Sequence, residues 1–301
     1  MQKKLLDIFC VVAVIPAIWM GGCDETLQPA AAPQADTSPV TAKAVAENTG
    51  GPMEFRDAVA LADREAATMP AETADDKQMQ SQYKQAVVDL LSSPDVEIRR
   101  QSAEMLGVLR KKLSLSALTL AVDDPSPIVQ AAAITAIACI GDKSVSGQIA
   151  AKLNSPQTAV KVAAANALGR LATPKTINSL MAAMKDPNAE VRAAAARALG
   201  PLRDGESASP LIKALRDSDP QVRAAAAGSL GVMQARQAVV SLIKSLEDSD
   251  AQVRYLAAGA LGNLDDKSAL PALNRLRNDN DMAVRNMAEA AISKLRSRNA
   301  E

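Results

Sequence analysis

The segment VRAAAARALG at residues 191–200 recurs as VRAAAAGSLG at 222–231 and as VRYLAAGALG at 253–262. The opening valines lie 31 residues apart, and further steps of the same length reach related segments that open at Ile98, Val129, Val160 and Val284. Seven copies in one register, without an insertion, indicate a repeat protein whose units bury their apolar faces by stacking on one another.

Each copy is predicted to be a helical hairpin. In one copy Val222, Ala226 and Leu230 fall on a single helical face, and a shorter apolar helix precedes them around Leu211. The turns between the two helices are rich in Asp, which caps free backbone N–H groups. We expect caps from Asp219, Asp250 and Asp281 within the hairpins, and from Asp142, Thr173, Asp204 and Asp266 between them.

The repeated motif resembles the short HEAT-like repeats of the phycobilisome-lyase type, whose signature is close to Val-Arg-x-x-Ala-Ala-x-Ala-Leu-Gly. The resemblance extends over residues 80 to 297. It implies an all-α fold, a right-handed α–α superhelix of the HEAT-like or armadillo type with seven 31-residue hairpins. The resemblance is specific for the fold and barely specific for function.

The N-terminus is predicted to be an export signal. Basic Lys3 and Lys4 precede an apolar run from Ile8 to Met20, which is shorter than the roughly 20 apolar residues of a membrane-spanning helix. Met20-Gly21-Gly22-Cys23 resembles a bacterial lipoprotein signal, which implies that Cys23 is acylated. Ordinary cleavage with Cys23 left free is the alternative. The resemblance implies an exported, lipid-anchored protein on the periplasmic face of the inner or outer membrane, or at the cell surface.

The chain is therefore divided into four parts. Residues 1–22 are the signal, and residues 23–52, rich in Pro, Ala and acidic side chains, are expected to be a disordered tether. Residues 53–79 are expected to contain a helix that covers the first hairpin, and residues 80–298 to form the repeat domain. Glu289 stands where the other copies have Ala or Ile, and Ser293 stands where most of them have Gly, as expected of a terminal copy.

Composition excludes several functions. The chain has no His, which removes His-based acid–base catalysis, the Ser/His/Asp and Cys/His nucleophile systems and the usual zinc and non-haem iron ligands. A formal net charge of zero argues against a nucleic-acid partner. We therefore expect no cofactor, no metal and no enzyme activity, and a protein partner instead.

Two sets of residues are candidates for function. Arg192, Arg223, Arg254 and Arg285 follow Asp186, Asp217, Asp248 and Asp279 by six residues, and in the HEAT-like families such rows form a structural ladder between adjacent turns. A basic stripe for an acidic partner is the less favoured interpretation. The second set is expected to point toward the concave side and to bind a protein segment: Arg100, Glu104, Val162, Asn166, Arg197 and Tyr255.

Alternatives to partner binding stay open. Small residues floor the expected groove, which would admit a helix or an extended peptide, but Ala is also the strongest helix former and marks no site by itself. Relatives with similar repeats include chromophore lyases and a di-iron hydroxylase. The hydroxylase needs His-Glu pairs that this chain lacks, so a lyase-like accessory factor is the remaining enzyme-related alternative.

Overall fold

The computed structural model describes residues 53–71, 73–109 and 112–297, which are helices and turns without a strand. All of these described residues belong to one compact unit. The α-helices of the described part are α1 (Phe55–Ala66), α2 (Ala74–Ser92), α3 (Val96–Leu109), α4 (Leu115–Ala121), α5 (Pro127–Ile140), α6 (Ser146–Ala151), α7 (Thr158–Leu171), α8 (Ile177–Ala183), α9 (Ala189–Leu199), α10 (Ala208–Ala214), α11 (Pro220–Val232), α12 (Val239–Ser245), α13 (Ala251–Leu264), α14 (Leu270–Arg275) and α15 (Met282–Ser297). The signal, the tether and Cys23 lie outside the described residues.

Helices α2 to α15 form seven hairpins that stack in chain order. The second helices of the hairpins, α3, α5, α7, α9, α11, α13 and α15, pack side by side as one layer, here called the inner layer. The first helices are short from α4 onward and cover the outer side of that layer. The core is one continuous cluster of Ala, Leu, Val and Ile side chains that runs through all seven hairpins.

Close contact between inner helices depends on glycine. A Cβ atom added to Gly231 of α11 would lie 2.8 Å from both Cα and Cβ of Ala260 in α13. The same approach occurs at Gly107, Gly169, Gly200 and Gly262, each against a small residue of the next inner helix. A side chain at these positions would force neighbouring helices apart, so the recurring Gly sets the spacing between repeats.

Most of the predicted caps are present. Asp219 accepts hydrogen bonds from the backbone N–H groups of Gln221 and Val222, at 2.8 and 3.3 Å. Asp250, Asp281, Asp142, Asp204 and Asp266 cap in a similar way. The prediction for Thr173 was wrong. Its buried hydroxyl oxygen has no hydrogen-bond partner among the described residues, and the backbone N–H and hydroxyl of Thr176 both donate to the carbonyl oxygen of Thr173 instead.

The two ends of the stack differ. At the C-terminal end Ser293 is exposed, and the carboxylate of Glu289 accepts a 2.6 Å hydrogen bond from Arg277. At the N-terminal end α1 packs on α2, and it buries Ala58, Ala62 and Ala66 there. The sequence boundary between residues 79 and 80 falls inside α2. Helix α1 thus covers the outer helix of the first hairpin, while the inner helix α3 keeps one side uncovered.

Candidate binding surface

The Asp–Arg ladder joins each hairpin to the next. Nε and Nη2 of Arg192 donate to the two carboxylate oxygens of Asp217, at 2.9 and 2.8 Å, while Nη1 donates to the carbonyl oxygens of Asp186 and Pro187. Arg223 and Arg254 repeat this arrangement with Asp248 and Asp279. The ion pair therefore joins residues 25 positions apart, and the Asp six positions before each Arg contributes its carbonyl.

The ladder extends beyond the four copies in which its motif is regular. In the first hairpin Arg99 forms the same bidentate pair with Asp124, with side chains only 4% and 7% exposed. Lys161 donates to Asp186 at 2.6 Å. Gln130 interrupts the row, and Arg285 at its end binds only the carbonyls of Asp279 and Asn280 among the described residues.

The electrostatics of the ladder favour a structural role. The guanidinium of Arg192 lowers the pKa of Asp217 through paired hydrogen bonds, with support from the backbone N–H of Asp219, and Arg254 does the same for Asp279. The side chains of these pairs are at most 16% exposed. Guanidiniums that are bound on both edges and largely covered do not present a basic stripe to an acidic partner.

The expected concave residues lie in two rows on the inner layer. Glu104, Asn166 and Arg197 are exposed, while Arg100, Val162 and Tyr255 are half-buried. Within the rows the small residues differ in exposure: Ala193, Ala224 and Gly228 are buried, whereas Gly259 is half-buried. Tyr255 is thus a half-buried aromatic side chain in rows whose other members in the C-terminal half of the layer include several small residues. Arg100 is held by Glu97 and Glu104 on its own helix.

Sequence reasoning missed two rows of the exposed inner-layer face. The first row consists of the residue immediately before the opening Ile or Val of each copy. All of its members are exposed: Glu97, Ile128, Ala159, Glu190, Gln221, Gln252 and Ala283. One helical turn beyond the second predicted row lie Val108, Arg170, Pro201, Asn263 and Lys294, which are also exposed. Lys294 donates to Oδ1 of Asn263 at 2.7 Å, so this row is continuous between the last two hairpins.

The recurring Gly was the signal that could have revealed these rows. It packs one side of each inner helix against the next hairpin, which covers part of the row that includes Ala193 and Ala224. The exposed arc of the helix is thereby rotated away from the next hairpin. The exposed side of a helix can be taken as the side opposite its apolar face only when no other helix packs beside it.

Two classes of site have no structural support in the described part of the chain. The described residues hold no group of three or more Cys, Asp or Glu side chains placed to bind a metal ion. Cys139 is buried. Among the same residues, no helix combines the length and the apolar character that crossing a membrane requires.

The geometry defines an α-solenoid, in which stacked helical hairpins share one continuous core. HEAT repeats match residues 116–200, 146–216 and 208–293, which together span more than half of the chain. The chain therefore belongs to the HEAT repeat proteins. The predicted all-α, right-handed superhelix of HEAT-like hairpins is confirmed.

Solved structures give the same fold. The complex of CpcE and CpcF of phycocyanin lyase from Nostoc sp. PCC7120 is similar over 76% of this chain and 96% of that chain, with 20% identity and a TM-score of 0.50. The protein YibA of Escherichia coli is similar over 80% and 94%, with 24% identity and a TM-score of 0.53. Comparison of sequences found no match to a curated protein. At these identities the likeness shows the fold alone.

Proposed function

We propose that this protein is a scaffold that binds a segment of a partner protein along the exposed face of the inner layer, without catalysis. The observation that carries the proposal is the C-terminal half of that face. There Tyr255 is half-buried and packs against the core, in rows whose other members include the small residues Gly228 and Gly259. A half-buried Tyr offers a rigid apolar ring with a hydroxyl at its tip, which is the character of a residue that anchors a bound segment.

The ladder supports a scaffold because it holds successive hairpins in a fixed relation. A binding face assembled from several hairpins keeps its shape only when the hairpins do not rotate against one another. Bidentate pairs such as Arg223–Asp248 oppose that rotation at one edge of the layer, and the Gly–Ala contacts set the spacing beside it. A face held in this way loses little conformational entropy when a partner binds.

The lyase-like alternative has one observation in its favour, the similarity in fold to the complex of CpcE and CpcF of phycocyanin lyase. That similarity carries no catalytic residues with it at 20% identity. The chain also lacks His, the commonest general acid–base side chain. We therefore place an accessory role in chromophore attachment second to a scaffold.

The binding test uses affinity capture followed by mass spectrometry. The double variant Tyr255→Ala, Arg197→Ala removes the aromatic side chain and a long exposed side chain from the inner-layer face. Val240→Ala, an exposed residue of the outer helix α12, is the matched control. A partner retained by the wild type and the control but lost by the double variant supports the proposal. Equal retention by all three proteins, or turnover of a small molecule by the purified chain, contradicts it.

We also propose that the protein is exported and anchored to a membrane by a lipid on Cys23. The support is the sequence alone: the basic start, the short apolar run and the small residues before the cysteine. Cells that express the wild type or Cys23→Ala would be labelled with a palmitate analogue. Label on the wild type and none on the variant is the expected result, and an unlabelled wild type refutes the anchor.

A further inference from the structure

The inner helix of the first hairpin exposes apolar side chains at positions that later hairpins bury. Ile98 is 42% exposed, whereas the six equivalent residues from Val129 to Val284 are buried. Met105 is 46% exposed, and its equivalents, five Ala and one Ser, are likewise buried. The equivalents of Ile98 are all Val, a similar aliphatic side chain, so the exposure of Ile98 follows from its position in the stack.

The contacts between hairpins identify this side of α3. Gly107 of α3 meets Ala136 of α5, so the Gly side of each inner helix faces the following hairpin and the side with Ala136 faces the preceding one. Met105 occupies the position of Ala136 in α3, and the described residues before α2 form no hairpin that covers it. The uncovered side of α3 is therefore equivalent to the side by which each later inner helix packs on the inner helix before it.

The uncovered side has the spacing of a helix-pairing stripe. Ile98, Gln101, Met105 and Val108 follow one another at intervals of three, four and three residues, the pattern of the contact positions in paired helices. Val108 is 80% exposed. The exposed side chains of neighbouring α2 are mainly polar, among them Gln78, Gln82 and Gln85. The apolar part of the edge is thus one helix wide, and we call it the α3 edge.

The charges beside the α3 edge determine what kind of helix fits. Glu97 and Glu104 occupy the flanking positions on one side of the stripe, and the guanidinium of Arg100 lies between them, so these three described side chains together carry one negative charge. The hydrogen bonds from Arg100 lower the pKa of Glu97 to about 2, so that carboxylate is ionised at neutral pH. An occupant with basic residues at its flanking positions complements this row.

Two other occupants fit less well. A further HEAT hairpin would bring a ladder Arg, but Ser93 stands at the position where that Arg needs an Asp. In a pair of α3 helices from two copies, an antiparallel arrangement sets the Glu97 and Glu104 row against itself. A parallel arrangement places that row opposite Ser102 and Leu109. Neither orientation therefore places a basic side chain opposite Glu97 and Glu104.

We propose that the α3 edge is a second interaction surface, which binds one amphipathic α-helix of a partner protein, with an apolar stripe flanked by Lys or Arg. The surface lies at the N-terminal end of the inner layer, where it shares Glu97, Glu104 and Val108 with the exposed face of the first hairpin; it does not include Tyr255 and goes beyond the scaffold function proposed above. The bound helix extends the inner layer by one helix at its N-terminal end. Its apolar stripe covers Ile98, Met105 and Val108, and its cations face Glu97 and Glu104.

The test measures peptide binding to the compact unit, residues 48–301, whose core is continuous and closed within the unit. The probes are two fluorescent synthetic helices of about two heptads, with identical Leu stripes and either Lys or Glu at the flanking positions. Fluorescence anisotropy gives the affinities. The Lys-flanked peptide is expected to bind at least about tenfold more tightly than the Glu-flanked one at low salt.

Variants assign the binding to the α3 edge. Met105→Ser with Val108→Ser is expected to weaken the Lys-flanked peptide by about tenfold or more, because two apolar contacts are lost. Val240→Ser, at a residue 68% exposed on α12, is the matched control and should leave the affinity unchanged. Glu97→Lys with Glu104→Lys should reverse the preference between the two peptides. All substituted side chains are at least partly exposed, and circular dichroism checks that each variant is folded.

Three outcomes would overturn the proposal. Equal affinity for the two peptides would remove the charge argument, and an equal loss in the Val240→Ser control would show that binding is not local to the edge. The third is a dimer, seen by sedimentation, that Met105→Ser with Val108→Ser abolishes, since it would assign the edge to a second copy. Binding that persists in Tyr255→Ala separates this surface from the proposed scaffold face.

Discussion

Replacement of Gly231 by Ala tests the claim that glycine sets the spacing between hairpins. The new Cβ would lie 2.8 Å from both Cα and Cβ of Ala260, against an ordinary carbon–carbon contact of about 3.5 to 4.0 Å. One of the two atoms belongs to the backbone, so no rotamer change relieves the overlap. Helix α13 has to move away from α11 by roughly 1 Å.

The expected cost follows from two opposing effects. Overpacking of a close interface costs about 1 to 3 kcal/mol, and more when backbone has to move. Ala in place of a helical Gly returns about 0.5 to 1 kcal/mol through the smaller entropy loss on folding. The net destabilisation of the Gly231→Ala variant should therefore be about 0 to 2.5 kcal/mol, and more where the backbone has to move. Ala138 occupies the equivalent position in the second hairpin, so the fold tolerates a methyl group there by adjustment and does not collapse.

The assay is urea unfolding combined with hydrogen exchange of the amides in α11 and α13. Exchange is needed because a repeat protein opens locally, and protection should fall mainly on both sides of the substituted interface. Gly147→Ala in α6 is the matched control, since no atom lies within 4 Å of its added Cβ. The control should be more stable by about 0.5 to 1 kcal/mol. A Gly231→Ala variant that gains stability like the control would refute the spacing argument.

Three further predictions concern the ladder and the turns. Arg223→Met leaves the largely covered carboxylate of Asp248 without its cation and should cost about 2 to 4 kcal/mol in urea unfolding; a change below about 0.5 kcal/mol would contradict the structural ladder. Acid unfolding should depend on Asp217, because the pKa of its carboxyl in the folded protein lies below the unfolded value of about 3.9. The stability that Asp217 contributes is present above a pH of about 3.9 and is lost as the pH falls through the folded pKa. Arg192→Met should therefore weaken the fall of stability with decreasing pH, as measured by urea unfolding at several pH values. Ala172 has a φ of 46°, in the left-handed region, so Ala172→Gly should raise the melting temperature, with a gain of about 0.5 to 1 kcal/mol, and a lowered melting temperature would argue against strain there.

The fold could be predicted because a repeat presents the same local information seven times. The apolar spacing of Val222, Ala226 and Leu230 requires a helix, and the Asp-rich turns set where it begins. Thr173 was the exception among the caps. The backbone N–H and hydroxyl of Thr176 donate to the carbonyl oxygen of Thr173, and the hydroxyl of Thr173 takes no part in this turn.

The candidate surface could be predicted only in part. Tyr255, Asn166 and Arg197 do lie on the inner layer, but the rows with Glu190 and Pro201 were missed. Their exposure depends on the orientation of each inner helix about its own axis, which is set where its Gly packs against the next hairpin. That rotation is a property of the interface between hairpins and has no counterpart in the periodicity of one helix.

By itself the sequence determined the class of fold, the length of the repeat and the location of its turns, since helix periodicity and capping act within a few residues of each other. Tertiary structure decided which groups meet. Arg192 binds the Asp of the next hairpin because stacking places residues 25 positions apart side by side. Ile98 and Met105 are exposed because α1 packs on α2 and leaves the edge of α3 uncovered. Burial is a relation between neighbours, and identical positions in a repeat differ when one neighbour is missing.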